Sequence, residues 1–389
     1  MNTQAGTVDL AGAWMRGGTS KCWLFAADAV AALPFDLDVV LASALGSGDL
    51  RQIDGVGGAT STTSKAAVVS RSTAPGADVD YLFGQVGVAE RVVEWGSNCG
   101  NCATAVGLYA VQEGLVAVEG EVTTVRLRNL NTGAVLQTAV ATPGGRAPRI
   151  GDTLVPGVES GGVPVELTFR GPFDLDRSFP TGRPIQLVSA GGVTAEASVV
   201  NAGAPAILID ARGLAMTATE TAEEIAERLP TLTAFRAAGA VLHGLVPPGR
   251  PAPNAVPKTG VVGPAADYRT ADGELIRARD YDVAVRMLSM HAAHPAIGLT
   301  SAVAVAIAAA KRGSVVHVND DCQSLRIGTL AGVVEVGWTR SAGVVETVSL
   351  LRAARRLATA VVHIPTTGRP HRTQPEIRPA VGAELAVSL

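Results

Sequence analysis

The segment WGSNCGNC, from Trp95 to Cys102, contains the residues whose types and spacing are best suited to chemistry. Cys99 precedes the apolar run ATAVGLYAVQ, which predicts a helix that begins near the thiol and stops at Gly114. The partial positive charge at a helix N-terminus stabilises a thiolate, so we expect the pKa of Cys99 to lie below that of a free cysteine. Backbone N–H groups there also attract carboxylates. These features predict proton transfer on an acidic substrate.

Two turns rich in glycine and hydroxyl groups add further polar groups. The first is Arg16–Lys21, with the sequence RGGTSK, and the second runs from Gly55 to Lys65. Neither fits the phosphate-loop pattern, because the glycine before the lysine is missing. They are either plain polar turns or places where backbone approaches a small anion, with Arg16, Lys21 and Lys65 supplying positive charge.

Lys65 and His291 are candidate functional side chains, and each has an ordinary alternative. Lys65 lies between a hydroxyl-rich turn and the apolar strand AAVV, where partial burial would lower its pKa towards that of a useful base. The alternative is an exposed lysine at a strand start. His291, shortly before Pro295, either binds a substrate carboxylate or is a plain loop histidine.

The Cys99-x-x-Cys102 spacing is also typical of dithiol redox sites. However, no thioredoxin-like strand–helix–strand pattern precedes it. A structural zinc site needs four ligands, and no second pair has matching spacing. We therefore predict neither a redox centre nor a metal site, and we interpret Cys22 and Cys322 as packed or half-buried thiols.

Composition limits the class of protein. The 389 residues predict two or three domains, and 47% are hydrophobic while only 4% are aromatic. A net charge of −3 without long charge runs argues against a nucleic-acid or membrane-surface partner. No signal-peptide pattern opens the chain, and its longest apolar stretch is too short to span a bilayer of about 30 Å. We expect a cytoplasmic protein.

The elements that must position these residues are mostly strands. WMRGGTSKCWLF predicts two strands around a turn, and helices are expected over Leu33–Leu45 and Thr219–Leu229. Two further helices, one after Cys99 and one over Thr300–Ala310, have no polar face and should be buried on every side. Each is embedded in its own strand-rich half. This favours two similar domains with a cleft between them, although a coincidence of Ala/Val-rich helices is the alternative.

A series of motifs resembles the PrpF-like isomerases, a family that contains 2-methylaconitate cis–trans isomerase, methylitaconate Δ-isomerase and 4-oxalomesaconate tautomerase. The resemblance extends from about Trp14 to about Val336. The combination of the first three motifs is specific to the family. In chain order, the motifs are WMRGGTSK, DGVGGATSTTSKA, SNCGN, FPTG, VVNAGAP, PAADY and DVAVRMLSMH.

The resemblance implies an α+β, diaminopimelate-epimerase-like fold. In that fold, two similar domains each wrap a β-barrel-like sheet around a central apolar helix, and the active site lies in the cleft between them. It predicts an N-terminal domain over residues 1–184, joined by the C-terminal segment 366–389, and a C-terminal domain over residues 185–365.

The resemblance also implies that Lys65 and Cys99 are the catalytic pair, because each falls on a matching motif position. The expected reaction is a cofactor-independent and metal-independent allylic proton shift on a small unsaturated carboxylate, with either residue as the base. A homodimer is the candidate assembly. The expected substrate-binding residues are Arg16, Gly17, Gly18, Thr19, Ser20, Lys21, Ser64, Asn98, Gly100, Asn101, Ser289 and His291.

Several positions depart from the family pattern. Ile297 stands where diaminopimelate epimerases have a second thiol, which argues against a two-thiol mechanism. Ala204 and the segment Thr329–Ala331 replace polar family residues, so the substrate is less charged than a tricarboxylate or these positions only shape loops. Cys102, often Met in the family, is interpreted as helix packing. An epimerase or racemase and a non-catalytic small-acid binding protein are the alternative functions.

Overall fold

The computed structural model describes residues 6–366 except Ser97 and Asp320. The fold is α+β and consists mostly of sheet, and the chain forms two compact units. The first unit contains the described residues up to Leu167 and those from Arg352 onward, and the second unit is Thr168–Leu351. None of the helices in the described ranges is long and apolar enough to cross a membrane.

The first unit contains nine strands and three α-helices within its described part. The strands are β1 (Gly6–Gly17), β2 (Ser20–Ala26), β3 (Lys65–Arg71), β4 (Val79–Val86), β5 (Val93–Glu94), β6 (Val122–Asn129), β7 (Val135–Ala141), β8 (Thr153–Val155) and β9 (Val158–Asp174), and the helices are α1 (Ala27–Ala31), α2 (Leu37–Leu45) and α3 (Gly100–Gln112). The chain passes into the second unit inside β9.

The second unit contains eleven further strands and two α-helices within its described part. The strands are β10 (Gln186–Ala190), β11 (Val193–Ala202), β12 (Ala204–Asp210), β13 (Lys258–Pro264), β14 (Tyr268–Arg269), β15 (Leu275–Ile276), β16 (Val283–Ser289), β17 (Ala292–Ala293), β18 (Ser324–Thr329), β19 (Gly332–Ser341) and β20 (Val344–Thr366), and the helices are α4 (Ala222–Leu242) and α5 (Leu299–Ala310). The chain returns to the first unit inside β20.

These boundaries differ from the predicted division into 1–184 and 185–365. The 23-residue strand β20 explains the earlier return to the first unit. Its beginning pairs with β19, and from Ala354 to Thr366 it pairs with β1. The predicted returning segment 366–389 lies, apart from residue 366, outside the described residues.

The two units share one order of strand pairings. In the first unit, β1–β2, β3–β4 and β6–β7 are antiparallel, whereas β2–β3 and β4–β6 are parallel. In the second unit, β11–β12, β13–β16 and β18–β19 are antiparallel, whereas β12–β13 and β16–β18 are parallel. Each unit therefore alternates antiparallel and parallel pairs in the same sequence.

The two apolar helices are buried, as predicted. Every residue of α3 from Gly100 to Val111 is buried, and the helix contacts β1, β2, β4, β6 and β7. All twelve residues of α5 are buried, with contacts to β11, β12, β18 and β19. Exposure of apolar side chains to water costs free energy, so a helix without a polar face is stable only when other elements cover it on every side.

Two other helices differ from their predicted bounds. α2 begins at Leu37 rather than Leu33, because the residue before Pro34 is disfavoured in helical backbone. α4 extends to Leu242 instead of stopping at Leu229, with Pro230 inside it. Its later turns bury side chains that include Leu232 and Phe235, and this tertiary packing outweighs the cost of the proline.

Candidate active site

Lys65 is held at the first position of β3, directly opposite Gln85 on β4. The residue is 7% exposed, so of the two alternatives that the sequence left open the structure shows the buried lysine. Its ammonium donates to Gln85 Oε1 and lies 5.3 Å from the centre of the Phe83 ring. Gln85 Nε2 in turn donates to the carbonyls of Ser61 and Ser64, so its oxygen is fixed towards the lysine. This sheet pair therefore orients the Lys65 ammonium between the Gln85 amide and the Phe83 ring.

The loop before Lys65 is shaped by Gln52. Ser64 is fully buried, and its hydroxyl donates to Gln52 Oε1 at 2.6 Å. The same oxygen accepts from the Ala59 N–H at 2.7 Å. The Lys21 N–H donates to the carbonyl of Thr62 at 2.9 Å, which links this loop to the β1–β2 turn. The two polar turns predicted from sequence are therefore neighbours.

Cys99 is the N-cap of α3, and its carbonyl accepts the N–H of Ala103 at 2.9 Å. The residue as a whole is half-buried, but its thiol is enclosed by protein. A hydrogen bond shared with the Cys102 thiol, together with burial, raises the pKa of Cys99 well above its usual value, and the positive charge of Lys65 acts in the opposite direction. The expectation of a lowered pKa is therefore wrong. The thiol is protonated at neutral pH.

The thiols of Cys99, Cys102 and Cys22 form a chain. Burial and a hydrogen bond with Cys22 raise the pKa of Cys102, which also shares the hydrogen bond with Cys99. Cys22 comes from β2 and is buried, as predicted. The sequence interpretation of Cys102 as packing missed its hydrogen bond with Cys22, because that partner on β2 is distant along the chain. No group of three or more histidine, cysteine or carboxylate residues among the described positions could hold a metal ion.

The segment before Cys99 is tied to the sheet by amide and phenol groups. Asn98 Oδ1 accepts the Tyr81 hydroxyl at 2.9 Å and Asn129 Nδ2 at 3.4 Å. Tyr81 is fully buried, and burial raises its pKa. Asn131 Oδ1 accepts the Phe83 N–H, and Asn131 Nδ2 donates to the carbonyls of Phe83 and Trp95. Asn98 was predicted from sequence, whereas the buried Tyr81, Asn129 and Asn131 were not. Their spacing along β4 and the β6–β7 turn does not indicate that their side chains would bond the segment before Cys99.

The β1–β2 turn packs on the first turn of α3. A Cβ atom at Gly17 would lie 1.9 Å from the Asn101 carbonyl oxygen, and one at Gly18 would lie 2.2 Å from Asn101 Oδ1. Gly18 also has a φ of +49°. Asn101 Nδ2 donates to Thr19 Oγ1 at 3.1 Å and lies 3.4 Å from Ser20 Oγ. The structure thus brings the predicted turn residues together with Asn101 and its neighbour Gly100 at the helix N-terminus.

Arg16 and Lys21 lie opposite each other at the end of the β1–β2 pair. Arg16 is buried, and its guanidinium donates to the carbonyls of Gly18, Ser160 and Gly161. Burial, reinforced by the charge of Arg355, lowers its pKa. Lys21 is half-buried with its ammonium 4.7 Å from the centre of the Trp14 ring. Arg16 therefore holds backbone in place, and its role as a carboxylate anchor stays a prediction.

Ser289 and His291 belong to the second unit and lie at the tight turn between β16 and β17. Ser289 ends β16 and pairs with Ala292, and His291 is exposed in the turn. The buried Arg236 donates to the Met290 carbonyl at 2.6 Å, which fixes this turn. Met290 has a positive φ of 56°. The structure brings these two predicted residues together, and their substrate-binding role stays a prediction.

Apart from Cys102, the departures from the family pattern also lie in the second unit. Ile297 is buried just before α5. Thr329 is fully buried at the end of β18, and its hydroxyl donates to the Gly332 carbonyl at 2.8 Å. Ala204 opens β12. Thr329 shapes a turn, in agreement with the loop-shaping alternative at that position.

Comparison with known proteins defines the family and the class of enzyme. The family model described as PrpF protein matches residues 7–365, and the chain belongs to this family. It is an isomerase, and the family prediction made from the motifs is confirmed.

Named relatives and a solved structure match most of the chain. The chain is 34% identical to a 2-methyl-aconitate isomerase of Shewanella oneidensis, over 92% of this chain and 97% of the relative. It is 36% identical to a (4E)-oxalomesaconate Delta-isomerase of Novosphingobium sp. (strain KA1), over 90% and 96%. The crystal structure of a methylitaconate-delta-isomerase superposes with a TM-score of 0.75 at 31% identity, covering 92% of this chain and 96% of that one.

Proposed function

We propose that this protein moves a double bond by allylic proton transfer in a small unsaturated carboxylic acid, without a cofactor. The acid is of the methylaconitate, methylitaconate or oxalomesaconate type, or a related biosynthetic acid. The observation that carries the proposal is the pairing of a buried lysine, Lys65, with the protonated thiol of Cys99 at a helix N-terminus. The relatives named for such acids support the substrate class.

The chemistry needs one group that accepts a proton and one that donates it. In the deprotonated form that this step requires, the Lys65 amine removes a proton from the carbon γ to the conjugated carboxylate, which generates a dienolate. Cys99, whose raised pKa keeps it protonated, donates its proton to another carbon of the dienolate. The Lys65 ammonium then returns a proton to the Cys99 thiolate, so that atoms and charge balance over the cycle. The raised pKa of the thiol favours this assignment over the reverse one.

The dienolate needs a partner for its negative charge. The first N–H groups of a helix have no acceptor within that helix, and those of Gly100 and Asn101 begin α3. The helix dipole adds partial positive charge at the same end. The Gly17–Gly18 turn packs against this helix end without side chains, so backbone is brought close to it. Such preorganised donors stabilise charge that develops in a transition state.

We further propose that each unit is a domain of the diaminopimelate-epimerase-like kind, in which a barrel-like sheet surrounds the buried helix. The shared order of strand pairings supports this, as does the burial of α3 and α5 among strands of their own unit. The homodimer, the cytoplasmic location and the absence of a cofactor remain predictions.

Proton NMR in D2O tests the proposed reaction directly. The protein is incubated with a panel of unsaturated di- and tricarboxylates beside the variants Lys65→Ala and Cys99→Ser. We expect deuterium at an allylic carbon together with a shifted double bond, and loss of both in either variant. Cys322→Ser removes a thiol from the second unit and serves as the control that keeps activity.

Two results would contradict the proposal. Deuterium at a stereocentre without movement of the double bond would indicate an epimerase or racemase instead. Saturable binding without exchange for every acid of the panel would indicate a binding protein.

A further inference from the structure

Gln52 is a buried glutamine in unfavourable backbone, on the loop that follows α2. The residue is 2% exposed, although its neighbours Leu50 and Ile53 are exposed. Its φ of +49° lies in the left-handed region, which residues other than glycine seldom adopt. Its side-chain Nε2 is buried and has no hydrogen-bond partner among the described residues. Both features cost folding free energy, and costs of this kind cluster at functional sites.

A short turn directs the Gln52 side chain inward. The Asp49 carboxylate accepts the N–H groups of Arg51 and Ile53 at 3.0 and 3.1 Å, and the Asp49 carbonyl accepts the Gln52 N–H at 2.9 Å. A Cβ atom at Gly57 would lie 2.2 Å from Gln52 Oε1, so this glycine leaves room for the amide. The amide therefore lies directly against the glycine-rich loop that precedes β3.

Ser64 and Gln85 connect the Gln52 amide to the Lys65 ammonium. The Ser64 hydroxyl donates to Gln52 Oε1 at 2.6 Å, and the Ser64 carbonyl accepts Gln85 Nε2 at 3.1 Å. Gln85 Oε1 accepts the ammonium. Ser64 is also the residue before Lys65 in the chain. A displacement of Ser64 therefore moves both the backbone of Lys65 and the amide that holds its ammonium.

The polar groups of Ser64 are all engaged within the protein. The residue is fully buried, and its hydroxyl proton is donated to Gln52. Its N–H donates to the Thr60 carbonyl at 3.0 Å, and its carbonyl also accepts the Val86 N–H at 3.1 Å. A serine in this state acts on the site through its neighbours.

We propose that Gln52 is a positioning residue for the isomerisation, because through Ser64 and Gln85 it holds the Lys65 amine in the place from which the amine accepts the substrate proton. The inference rests on the proposed role of Lys65, and it gives Ser64 a positioning role instead of the substrate-binding role expected from sequence. Small displacements of a reacting group lower the rate of proton transfer strongly. The gain in rate accounts for a residue with two unfavourable features.

Substitutions of Gln52 separate its bulk from its acceptor oxygen. Gln52→Met keeps a side chain of similar length and removes the amide, whereas Gln52→Glu keeps an oxygen that can accept from Ser64. With the acid that the wild type isomerises, we expect kcat to fall about tenfold or more for Gln52→Met and KM to change by less than about threefold. The pH–rate profile should change as well, and Gln52→Glu should restore most of the kcat.

Gln112→Met is the matched control. It removes the same amide from the last residue of α3, where Gln112 bonds the Pro148 carbonyl and the Arg356 guanidinium instead. We expect its kcat to lie within about twofold of that of the wild type.

Acetylation of Lys65 gives a second readout that does not depend on activity. The protein is treated with acetic anhydride, and the labelling of Lys65 is measured by mass spectrometry relative to Lys311, which lies in the second unit and pairs with Asp176. We expect the relative rate to rise severalfold in Gln52→Met, because the loop that buries Lys65 loses its attachment to the amide.

Each outcome decides for or against the positioning role. A folded Gln52→Met with wild-type kcat and wild-type labelling of Lys65 overturns the proposal. A rise in KM alone, or a loss of kcat that Gln52→Glu does not restore, overturns it too. If Gln52→Met does not fold, Ser64→Ala breaks the same hydrogen bond and decides by the same readouts. If the wild type isomerises no acid, or Lys65→Ala stays active, faster labelling still supports the link from Gln52 to Lys65, and the proposed reaction or the proposed base is wrong instead.

Discussion

Gly17 is the position at which one added methyl group should damage both stability and the site. In Gly17→Ala, the new Cβ atom would lie 1.9 Å from the Asn101 carbonyl oxygen and 2.9 Å from the Ala105 nitrogen. Both are backbone atoms of α3, which is buried along its length, so no flexible side chain can relieve the contact. The turn and the helix must separate by about 1.5 Å to restore an ordinary contact.

This separation sets the expected loss of folding stability. Overpacking of a close contact costs about 1–3 kcal/mol, and for a unit of this size each kcal/mol lowers Tm by about 2–4 °C. Differential scanning calorimetry of Gly17→Ala should therefore show the transition of the first unit lowered by about 2–12 °C. The Kd for a carboxylate ligand should rise in parallel, because the turn moves away from Asn101.

Gly96→Ala is the matched control. A Cβ atom at Gly96 meets nothing within 4 Å, so the free energy of unfolding should change by no more than about 1 kcal/mol. If Gly17→Ala retains the Tm and ligand affinity of wild type, the turn does not pack on α3 as described, and the proposed carboxylate-binding geometry is refuted.

Three further predictions concern groups that support the site. Cys102→Ala removes the hydrogen bond that most raises the pKa of Cys99, so alkylation by iodoacetamide at pH 8 should be faster than in wild type; equal rates across the pH range would contradict this role. Gln85→Leu removes the acceptor of the Lys65 ammonium, so kcat should fall by about tenfold or more and the pH–rate profile should change. An unchanged profile would show that Gln85 does not position the amine. Asn131→Ala leaves two Phe83 backbone groups and the Trp95 carbonyl without this partner and should cost about 2–4 kcal/mol in urea unfolding; a loss below about 0.5 kcal/mol would argue against it.

Local pattern was sufficient for much of the fold. The turn at Gly17–Gly18 and the buried helices that became α3 and α5 follow from residue periodicity and turn chemistry over short stretches, whereas the burial of Lys65 was left open. The family followed from the order of several motifs. These features depend on neighbours along the chain, which a sequence displays directly.

Residues distant in sequence determined the chemistry of the site. The pKa of Cys99 depends on Cys102 and on burial, which oppose the acidifying effect expected from a helix N-terminus. Arg16 is engaged by Ser160 and Gly161, which no local pattern connects to it. The direction of a pKa shift is a balance between desolvation and individual partners, and only a folded chain defines both.

The sequence alone determined the family, the two buried helices and the identity of the candidate catalytic pair, because motif order and periodicity are properties of the linear chain. The tertiary structure decided that the Arg16 guanidinium binds backbone carbonyls and that burial keeps the Cys99 thiol protonated. The return of β20 to β1 brings the Ala353 carbonyl within 2.9 Å of the Gly18 nitrogen, across most of the chain length. Such a contact depends on strand pairing between distant segments, which periodicity does not encode.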